Sequence, residues 1–397
     1  MSKHRTGFEL ARREALIAAS TWALAARAAS APRLPLTAAT PPEITPAQPP
    51  LQFPRDHGTH LDARTEWWYI TGQLQAATPP PTNTATTANT PALPQPLGFQ
   101  ITFFRSRIEA AQTNPSALAA RHLIMAHVAL SDVAQGRQWH EQRLARAALG
   151  LSDAATTDTN VHLRDWRLQR QSGTETGSEG SRYRADVQAR DFGLQLNLST
   201  TQAVMPQGDA GLSHKGPLPQ HVSHYYSQPQ LAVQGTLTRG GKPLAVTGRA
   251  WLDHEWSDAY LPPGAIGWDW IGMNLSDGGA LMAFRMRRAD GSTLWAGGSF
   301  RAPGQATRSF AAHEVSLQPG KVWQSPATGA RYPMQWWVQT PVGRFEVLAR
   351  FEAQELNAQQ STGTVYWEGL STLRDAQHRE VGTGYLEMTG YAGALAL

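Results

Sequence analysis

The stretch FPRDHGTHLDARTEWWYITG, residues 53–72, decides how the rest of the sequence is interpreted. Its first half is polar and carries Asp56, His57 and Asp62, whereas its second half, EWWYITG, is a run of aromatic and β-branched residues that favours a β-strand. A polar loop that leads directly into such a strand can hold titratable groups at the rim of an apolar cavity. The stretch therefore predicts a β-sheet and a candidate site at one end of it.

The rest of the chain also predicts strands joined by tight turns. Residues 161–171, VHLRDWRLQRQ, alternate apolar and polar side chains, which is typical of a half-buried strand. The dipeptides Asp277-Gly278 and Asp290-Gly291 are strong hairpin signals. Almost no segment has the pattern of a long helix, so the sequence predicts an all-β fold.

A weak internal repeat divides the chain in two. Asp56-His57 precedes Glu66-Trp67-Trp68, and Asp253-His254 precedes Trp268-Asp269-Trp270. The segment 226–251 also resembles the segment 366–388. We therefore predict two tandem antiparallel β domains, at 51–250 and 251–397. Closed barrels are favoured over open sheets because closure removes exposed strand edges.

The N-terminus indicates export. Residues 1–31 combine basic residues with a short apolar run, and Arg12-Arg13 resembles a twin-arginine signal. Residues 32–50 are rich in Pro, Ala and Thr and predict a linker. Removal of residues 1–31 takes away five Lys/Arg and two Glu, which lowers the net charge from +4 to +1. We expect a periplasmic or secreted protein, and no nucleic-acid partner, because the folded part lacks a basic excess.

Composition and missing motifs exclude several classes of protein. The chain has no Cys, which excludes disulfides, thiolate metal sites and a Cys nucleophile. Neither the G-x-S-x-G motif of serine hydrolases nor a nucleotide-binding glycine motif occurs. The 14 Trp residues suit an apolar ligand cavity, but they also suit plain β-sheet cores. We expect no cofactor.

The first candidate catalytic group is Glu66 with His57, near Asp56 and His60. A carboxylic acid at an apolar rim has a raised pKa and can act as a general acid near neutral pH. The structural alternative is that Asp56 caps a turn and His57 binds a backbone group. A second alternative is a metal site, because His57, His60, His254 and Glu255 offer nitrogen and oxygen ligands. We rank that site below proton transfer.

The second candidate catalytic group lies around Asp253, His254, Glu255 and Asp269. Side chains alternate along a strand, so Trp268 and Trp270 share one face and Asp269 points the other way. Either the two Trp side chains line a cavity, or Asp269 lies inside a barrel and the Trp side chains pack outside. The candidate ligand-binding residues are Trp67, Trp68, Trp256, Trp268, Trp270, Tyr226 and Arg285.

Six blocks, in order along the chain, resemble the AttH/CrtC-like family. They are FPRDHGTHLDARTEWWYITG, GFQITFFRSR, QGDAGLSHKGP, TGRAWLDHEWSD, GWDWIGMNL and STGTVYWEG. The resemblance implies lipocalin-like tandem β-barrels of a kind often described as predicted secreted hydrolases. One branch contains carotenoid 1,2-hydratases, for which it implies acid catalysis with a His-x-Trp element, here His254-Glu255-Trp256, and a later acid, for which Asp269 is the nearest candidate.

Two functions follow as alternatives. The first is an exported hydrolase or hydratase that acts by acid–base catalysis on an apolar, isoprenoid or lipid-like small molecule. The second is a non-catalytic carrier of lipid, serving the permease of an ABC transporter, because bacterial relatives are often encoded beside such permeases. In the carrier the Trp side chains matter and the acidic side chains do not.

Overall fold

The computed structural model describes residues 50–77, 96–116, 118–172 and 180–395. The predicted export signal at 1–31, nearly all of the linker at 32–50, and most of the Pro-rich segment at 76–96 lie outside the described residues. The described residues, from 50 onwards, belong to one compact unit. Within the described part, strands dominate and helices are limited to single turns at Arg55–His57, Glu109–Gln112 and Ala312–Glu314.

The first sheet contains 13 antiparallel strands. They are β1 (Thr65–Ala76), β2 (Leu97–Arg107), β3 (His122–Asp132), β4 (Arg137–Arg146), β5 (Ser152–Ala154), β6 (Asn160–Leu163), β7 (Trp166–Ser172), β8 (Ser181–Gln188), β9 (Phe192–Ser199), β10 (Met205–Pro206), β11 (Leu212–His214), β12 (Val222–Arg239) and β13 (Lys242–Ser257). Their order is β4-β3-β2-β1-β13-β12-β9-β8-β7-β6-β5, with the short β10 and β11 both paired to β12.

The second sheet contains 10 antiparallel strands. The strands of the second half of the chain are β14 (Gly267–Leu275), β15 (Ala280–Arg287), β16 (Thr293–Arg301), β17 (Arg308–Phe310), β18 (Ser316–Pro319), β19 (Val322–Gln324), β20 (Arg331–Pro333), β21 (Gln335–Thr340), β22 (Gly343–Ala349), β23 (Glu355–Ala358), β24 (Thr364–Arg374) and β25 (Glu380–Met388). The order is β17-β16-β15-β14-β25-β24-β22-β21-β18; β23 pairs with β24, and β19 and β20 form a separate hairpin.

The two sheets share one plan. In each, the first strand lies between the second strand and the last: β1 pairs with β2 and β13, and β14 pairs with β15 and β25. The two edges of each sheet also approach each other. In the first sheet β3 and β4 contact β6, and in the second β15 contacts β18. The predicted fold, two tandem lipocalin-like antiparallel β-barrels, is confirmed. The predicted division after residue 250 falls inside β13, which belongs wholly to the first sheet.

Strand alternation produces three hydrophobic regions. Even-numbered residues of β1, such as Trp68 and Ile70, fill the core of the first sheet. Residues such as Ile271 and Trp336 fill the core of the second. A third cluster, which contains Tyr69 and Trp270, lies between the two sheets. The outer faces of the central strands therefore pack against each other instead of facing water.

No helix in the described residues is long and apolar enough to cross a membrane.

Candidate active site

A cavity of about 440 Å³ lies between the two sheets and receives side chains from both. Aromatic rings form much of its wall: Trp67, Tyr69, Phe104, Tyr225, Tyr260, Trp268, Trp270, Phe284 and Tyr366. Trp67 stacks on Tyr260 with 4.1 Å between ring centroids, and the edge of Tyr69 meets Trp270. This wall suits an apolar small molecule.

Two glutamates stand opposite each other on this wall. Glu368 of β24 and Glu387 of β25 are directly paired across the strands, where side chains on one face come within contact range. Burial raises the pKa of Glu387 to about 7, against a hydrogen bond from the Trp268 indole N–H at 3.1 Å. Burial, with the charge of Glu387, raises the pKa of Glu368 well above its usual range. Such a pair retains a proton at neutral pH.

Glu368 differs from Glu387 in its hydrogen bonding. Its side chain is 1% exposed, and neither carboxyl oxygen has a hydrogen-bond partner among the described residues. The nearby Tyr69 hydroxyl lowers the pKa of Glu368 slightly, but no hydrogen bond of ordinary geometry joins the two. Glu387, in contrast, accepts the Trp268 N–H, which favours its charged form. We therefore assign the shared proton to Glu368.

Asp253 is a third acid on the cavity wall, held by three donors. It accepts hydrogen bonds from the Tyr225 hydroxyl at 2.9 Å, the Trp251 indole at 2.7 Å and the Ser227 hydroxyl. Burial nevertheless raises the pKa of Asp253 to about 7. The Trp270 indole N–H extends this chain by donating to the Tyr225 hydroxyl.

Glu255 and Lys215 form a buried ion pair in the same cavity. The Lys215 ammonium lies 2.8 Å from Glu255 and within 4.5 Å of the Phe284 ring centre. The Ser223 hydroxyl donates to the same Glu255 carboxylate. Lys215 comes from the Gly/Pro-rich segment around β11, so the pairing of β11 with β12 carries this lysine to the cavity.

The first candidate group lies on the opposite face of β1 and β13. Glu66, fully buried in the first sheet, accepts hydrogen bonds from five groups: the Thr59 hydroxyl, the His60 backbone N–H, the rings of His60 and His254, and the Arg105 guanidinium. Although burial opposes it, the His254 and His60 hydrogen bonds hold the pKa of Glu66 well below its usual range. Glu66 therefore remains charged, and both of its carboxylate oxygens accept hydrogen bonds, which is typical of a structural role.

His57 and Tyr226 belong to this inner network. The His57 ring lies 2.8 Å from the Tyr226 hydroxyl, which is also 3.1 Å from the His254 ring. Burial lowers the pKa of both His57 and His254, so both rings are neutral at neutral pH. Trp68 and Trp256 pack in the same core, where Trp256 stacks on His60 with 3.6 Å between centroids.

Three side chains of this network could present ligand atoms to a metal ion. Donor atoms of His60, Glu66 and His254 lie within 4.8 Å of one another. Each already has hydrogen-bond partners, since both imidazoles contact the same Glu66 oxygen and Arg105 holds the other. Two members of the set we expected, His57 and Glu255, are not part of this cluster.

Asp269 and Arg285 lie on the inner face of the second sheet. Asp269 accepts a hydrogen bond from the Arg285 guanidinium at 2.7 Å and another from the Tyr391 hydroxyl at 2.9 Å. The pair repeats Glu66 and Arg105, because both acids face their arginine across the first two strands of a sheet. Neither Asp269 nor Arg285 lines the cavity.

The predicted site residues therefore separate onto three surfaces. The cavity receives Trp67, Asp253, Glu255, Trp268 and Trp270. The inner face of the first sheet receives His57, Glu66, Trp68, Tyr226, His254 and Trp256. The third surface is the inner face of the second sheet, which receives Asp269 and Arg285. In the strand at 268–270, the Trp side chains therefore line the cavity and Asp269 lies inside the second barrel.

Sequence analysis missed Glu387 and gave Glu368 no catalytic role. One available signal was the repeat, because Glu255 faces Trp67 across the strands just as Glu387 faces Trp270. An acid at a position equivalent to Glu255 was therefore a candidate for the same cavity. No comparable signal pointed to Tyr69 and Gln100, since an aromatic or an amide inside a strand is ordinary.

Comparison with known proteins identifies relatives of the whole chain. The sequence model of the AttH-like family matches residues 44–391. A crystal structure described as an AttH protein from Nitrosomonas europaea shares 41% identity, with a TM-score of 0.75, over 87% of this chain and 98% of that one. The crystal structure of kievitone hydratase from Nectria haematococca has 14% identity and a TM-score of 0.61, over 87% and 94% of the two chains. No curated protein sequence matches.

Proposed function

The chain belongs to the AttH-like family, and we propose that it is a hydratase that adds water across a carbon–carbon double bond of an apolar small molecule. One observation carries the proposal: Glu368 and Glu387 are paired across two strands inside an aromatic cavity, where burial raises the pKa of both. Kievitone hydratase has the same fold, so a hydratase can be built on this architecture. Because fold alone does not fix activity, the argument rests on the cavity.

Hydration of an unactivated alkene needs a proton donor in an apolar site. A carboxyl group that stays protonated at neutral pH meets this need, and Glu368 is such a group because burial and Glu387 both raise its pKa. Protonation of one alkene carbon leaves a carbocation on its neighbour. The faces of Trp67, Trp268 and Trp270 stabilise that cation through their π electrons, and the charge of Glu387 adds an electrostatic attraction.

The remaining step adds the water. The water oxygen forms a bond to the cationic carbon, and the carboxylate of Glu368, which has lost its proton, takes one proton from that water. One hydrogen and one hydroxyl are then added, and Glu368 is again protonated. No oxidant, reductant or further reactant is consumed.

The composition of the cavity wall supports an apolar, isoprenoid or lipid-like substrate. Aromatic rings and the Met125, Met286 and Leu123 side chains form the apolar part of the wall. Its cations are Lys215, which pairs with Glu255, Arg107, which pairs with Glu109, and Arg64. A strongly anionic substrate would meet Glu255, Asp253 and the glutamate pair. The apolar part of the wall supports a neutral, mainly hydrocarbon substrate.

Turnover in labelled water tests the proposal. Purified protein is incubated in H₂¹⁸O with an apolar extract of its host, and products that gain one labelled water are sought by mass spectrometry. We expect such a product with the wild type, and a loss of at least ~100-fold in its rate with Glu368→Gln. The matched control is Glu346→Gln, which changes a buried carboxyl of the second sheet outside the cavity.

The competing function is a carrier of apolar ligands. A carrier would release the same ligand that it bound, and Glu368→Gln would leave ligand content unchanged. If Glu368→Gln forms labelled products as fast as the wild type, the glutamate pair does not have the proposed role.

We further propose that the chain acts in the periplasm or outside the cell. The support is the basic and apolar pattern of residues 1–31, with its Arg12-Arg13 pair. Fractionation of cells that express the full chain tests this proposal, and replacement of Arg12-Arg13 by Lys-Lys should retain the protein in the cytoplasm. If the chain is a carrier, we propose that its partner is the permease of an ABC transporter.

A further inference from the structure

Three buried polar side chains on the cavity wall each carry an oxygen without a hydrogen-bond partner among the described residues. Tyr69, Gln100 and Glu368 are 7%, 1% and 1% exposed, and all three line the cavity. The Tyr69 hydroxyl, the Gln100 side-chain oxygen and both Glu368 oxygens make no hydrogen bond with any described residue. A buried polar group without a partner is costly, so such groups are normally paired with protein, water or ligand.

These three side chains form one group, which we call the polar patch. Tyr69 of β1 faces Thr102 of β2 across the strands, and the Gln100 amide N–H donates to the Thr102 hydroxyl at 3.1 Å. The same amide nitrogen also contacts the Tyr366 hydroxyl at 3.2 Å, and in this orientation the Gln100 oxygen has no partner among the described residues. Tyr366 and Glu368 are two residues apart on β24, so their side chains share the face that lines the cavity, which places Glu368 beside the Gln100–Tyr366 contact.

The chemistry of the polar patch matches one hydroxyl or one water. The Gln100 oxygen can only accept a hydrogen bond, the Tyr69 hydroxyl can donate one, and the protonated Glu368 carboxyl can do both. A carbonyl oxygen would leave the Gln100 oxygen unpaired, and an ammonium would leave the Tyr69 donor unused. Water and an alcohol both donate and accept, so either can satisfy the group.

We propose that the polar patch binds the oxygen that is added: it holds the attacking water before the reaction and the hydroxyl group of the product afterwards. This assignment rests on the proposed hydratase function. It makes Tyr69 and Gln100 positioning residues, and it places the water beside Glu368, which supplies the proton to the alkene and recovers one from the water. It also identifies the product class as an apolar alcohol.

Binding of two probes that differ by one water tests the proposal. Nerolidol, a tertiary C15 alcohol, is formally the hydrate of β-farnesene, a C15 hydrocarbon. Quenching of the fluorescence of Trp67, Trp268 and Trp270 reports occupation of the cavity by either probe. We expect the wild type to bind nerolidol at least ~10-fold more tightly than β-farnesene, because only the alcohol pairs the buried polar atoms.

The decisive variant is Tyr69→Phe. The Tyr69 hydroxyl makes no hydrogen bond of ordinary geometry with a described residue, so its removal should change the thermal unfolding midpoint little. We expect it to weaken nerolidol binding ~5- to 10-fold and to leave β-farnesene binding unchanged. The matched control is Tyr260→Phe, which removes the same atom from another tyrosine of the cavity, one that contacts the Thr65 carbonyl.

The outcomes separate this inference from the proposed function. Equal affinity of the wild type for both probes, or equal loss in Tyr69→Phe and Tyr260→Phe, would overturn the assignment of the polar patch. If the wild type exchanges the nerolidol oxygen with H₂¹⁸O, and Tyr69→Phe slows this exchange, both the polar patch and the hydratase function are supported. Alcohol preference that depends on Tyr69, without oxygen exchange by the wild type on any labelled substrate, would reject the hydratase function but retain the patch as a hydroxyl-binding site.

Discussion

Glu368 and Glu387 lie directly opposite each other on β24 and β25, with both side chains in the cavity between the two sheets. Like charges in this arrangement repel, and burial prevents water from screening the repulsion. The pair therefore keeps a proton that an isolated glutamate would lose. The sheet contributes the geometry, since neighbouring strands place paired side chains at contact distance.

Stability should depend on pH through Glu387. Its pKa rises from 4.5 to about 7 on folding, so the folded chain binds more protons than the unfolded chain between these pH values. The free energy of unfolding must then fall as pH rises through this window. We expect Glu387→Gln to remove about 2.5 kcal/mol of this fall, measured as the difference in the free energy of urea unfolding between pH 5 and pH 8. An unchanged pH dependence in the variant would contradict the raised pKa.

Removal of one donor should shift the titration of Asp253. The Tyr225 hydroxyl stabilises the charged carboxylate, so Tyr225→Phe should raise the Asp253 pKa above its present value of about 7 by about one unit. The shift can be followed by NMR of ¹³C-labelled aspartate. Tyr260→Phe, whose hydroxyl contacts a backbone carbonyl instead, should leave the Asp253 titration in place.

The Glu66 network should carry a large part of the stability of the first sheet. Arg105→Met removes the guanidinium and leaves the fully buried Glu66 carboxylate without its arginine. We expect a loss of about 3–5 kcal/mol in the free energy of unfolding. Arg379→Met, which breaks a pair whose arginine is exposed, is the control and should change stability little. Equal effects of the two variants would mean that the network is not a structural centre.

The cavity tryptophans should control ligand affinity. Trp270→Ala removes a ring from the wall and also the N–H that donates to Tyr225. We expect the affinity for β-farnesene to fall ~10-fold or more, because aromatic contact area is lost. Trp323→Ala changes a tryptophan of the β19–β20 hairpin, which packs against the core of the second sheet and does not line the cavity, and should leave affinity unchanged. If β-farnesene binds Trp270→Ala and Trp323→Ala with equal affinity, its binding site lies outside the cavity.

Much of the fold could be predicted from local patterns. Alternation and hairpin dipeptides predicted antiparallel strands, and the weak repeat predicted two barrels of one plan. In the structure, Phe104-Arg105 and Phe284-Arg285 occupy equivalent positions on β2 and β15, which agrees with a shared plan. Alternation and hairpin dipeptides can be recognised in short segments, because side chains along a strand point to alternate faces with a period of two residues.

The site could be predicted only in part, because neighbours in sequence were taken as neighbours in space. Asp253, His254 and Glu255 are consecutive, yet the first and third face the cavity whereas His254 faces the core of the first sheet. Alternation alone separates them, but it does not say which face meets a ligand. Glu66 and Asp269 were placed in the site although both point away from it.

By itself, then, the sequence determined the strand-rich architecture, the duplication, and the stretch 53–72 as an acid- and histidine-rich loop leading into a central strand. Only the tertiary structure decided which acids line the cavity. The cavity exists because the outer faces of two sheets pack together, and it joins Tyr69 and Gln100 to Glu368 and Glu387 from the far end of the chain. Long-range packing of this kind leaves no mark in the local spacing of residues, since each strand would show the same alternation against any apolar partner.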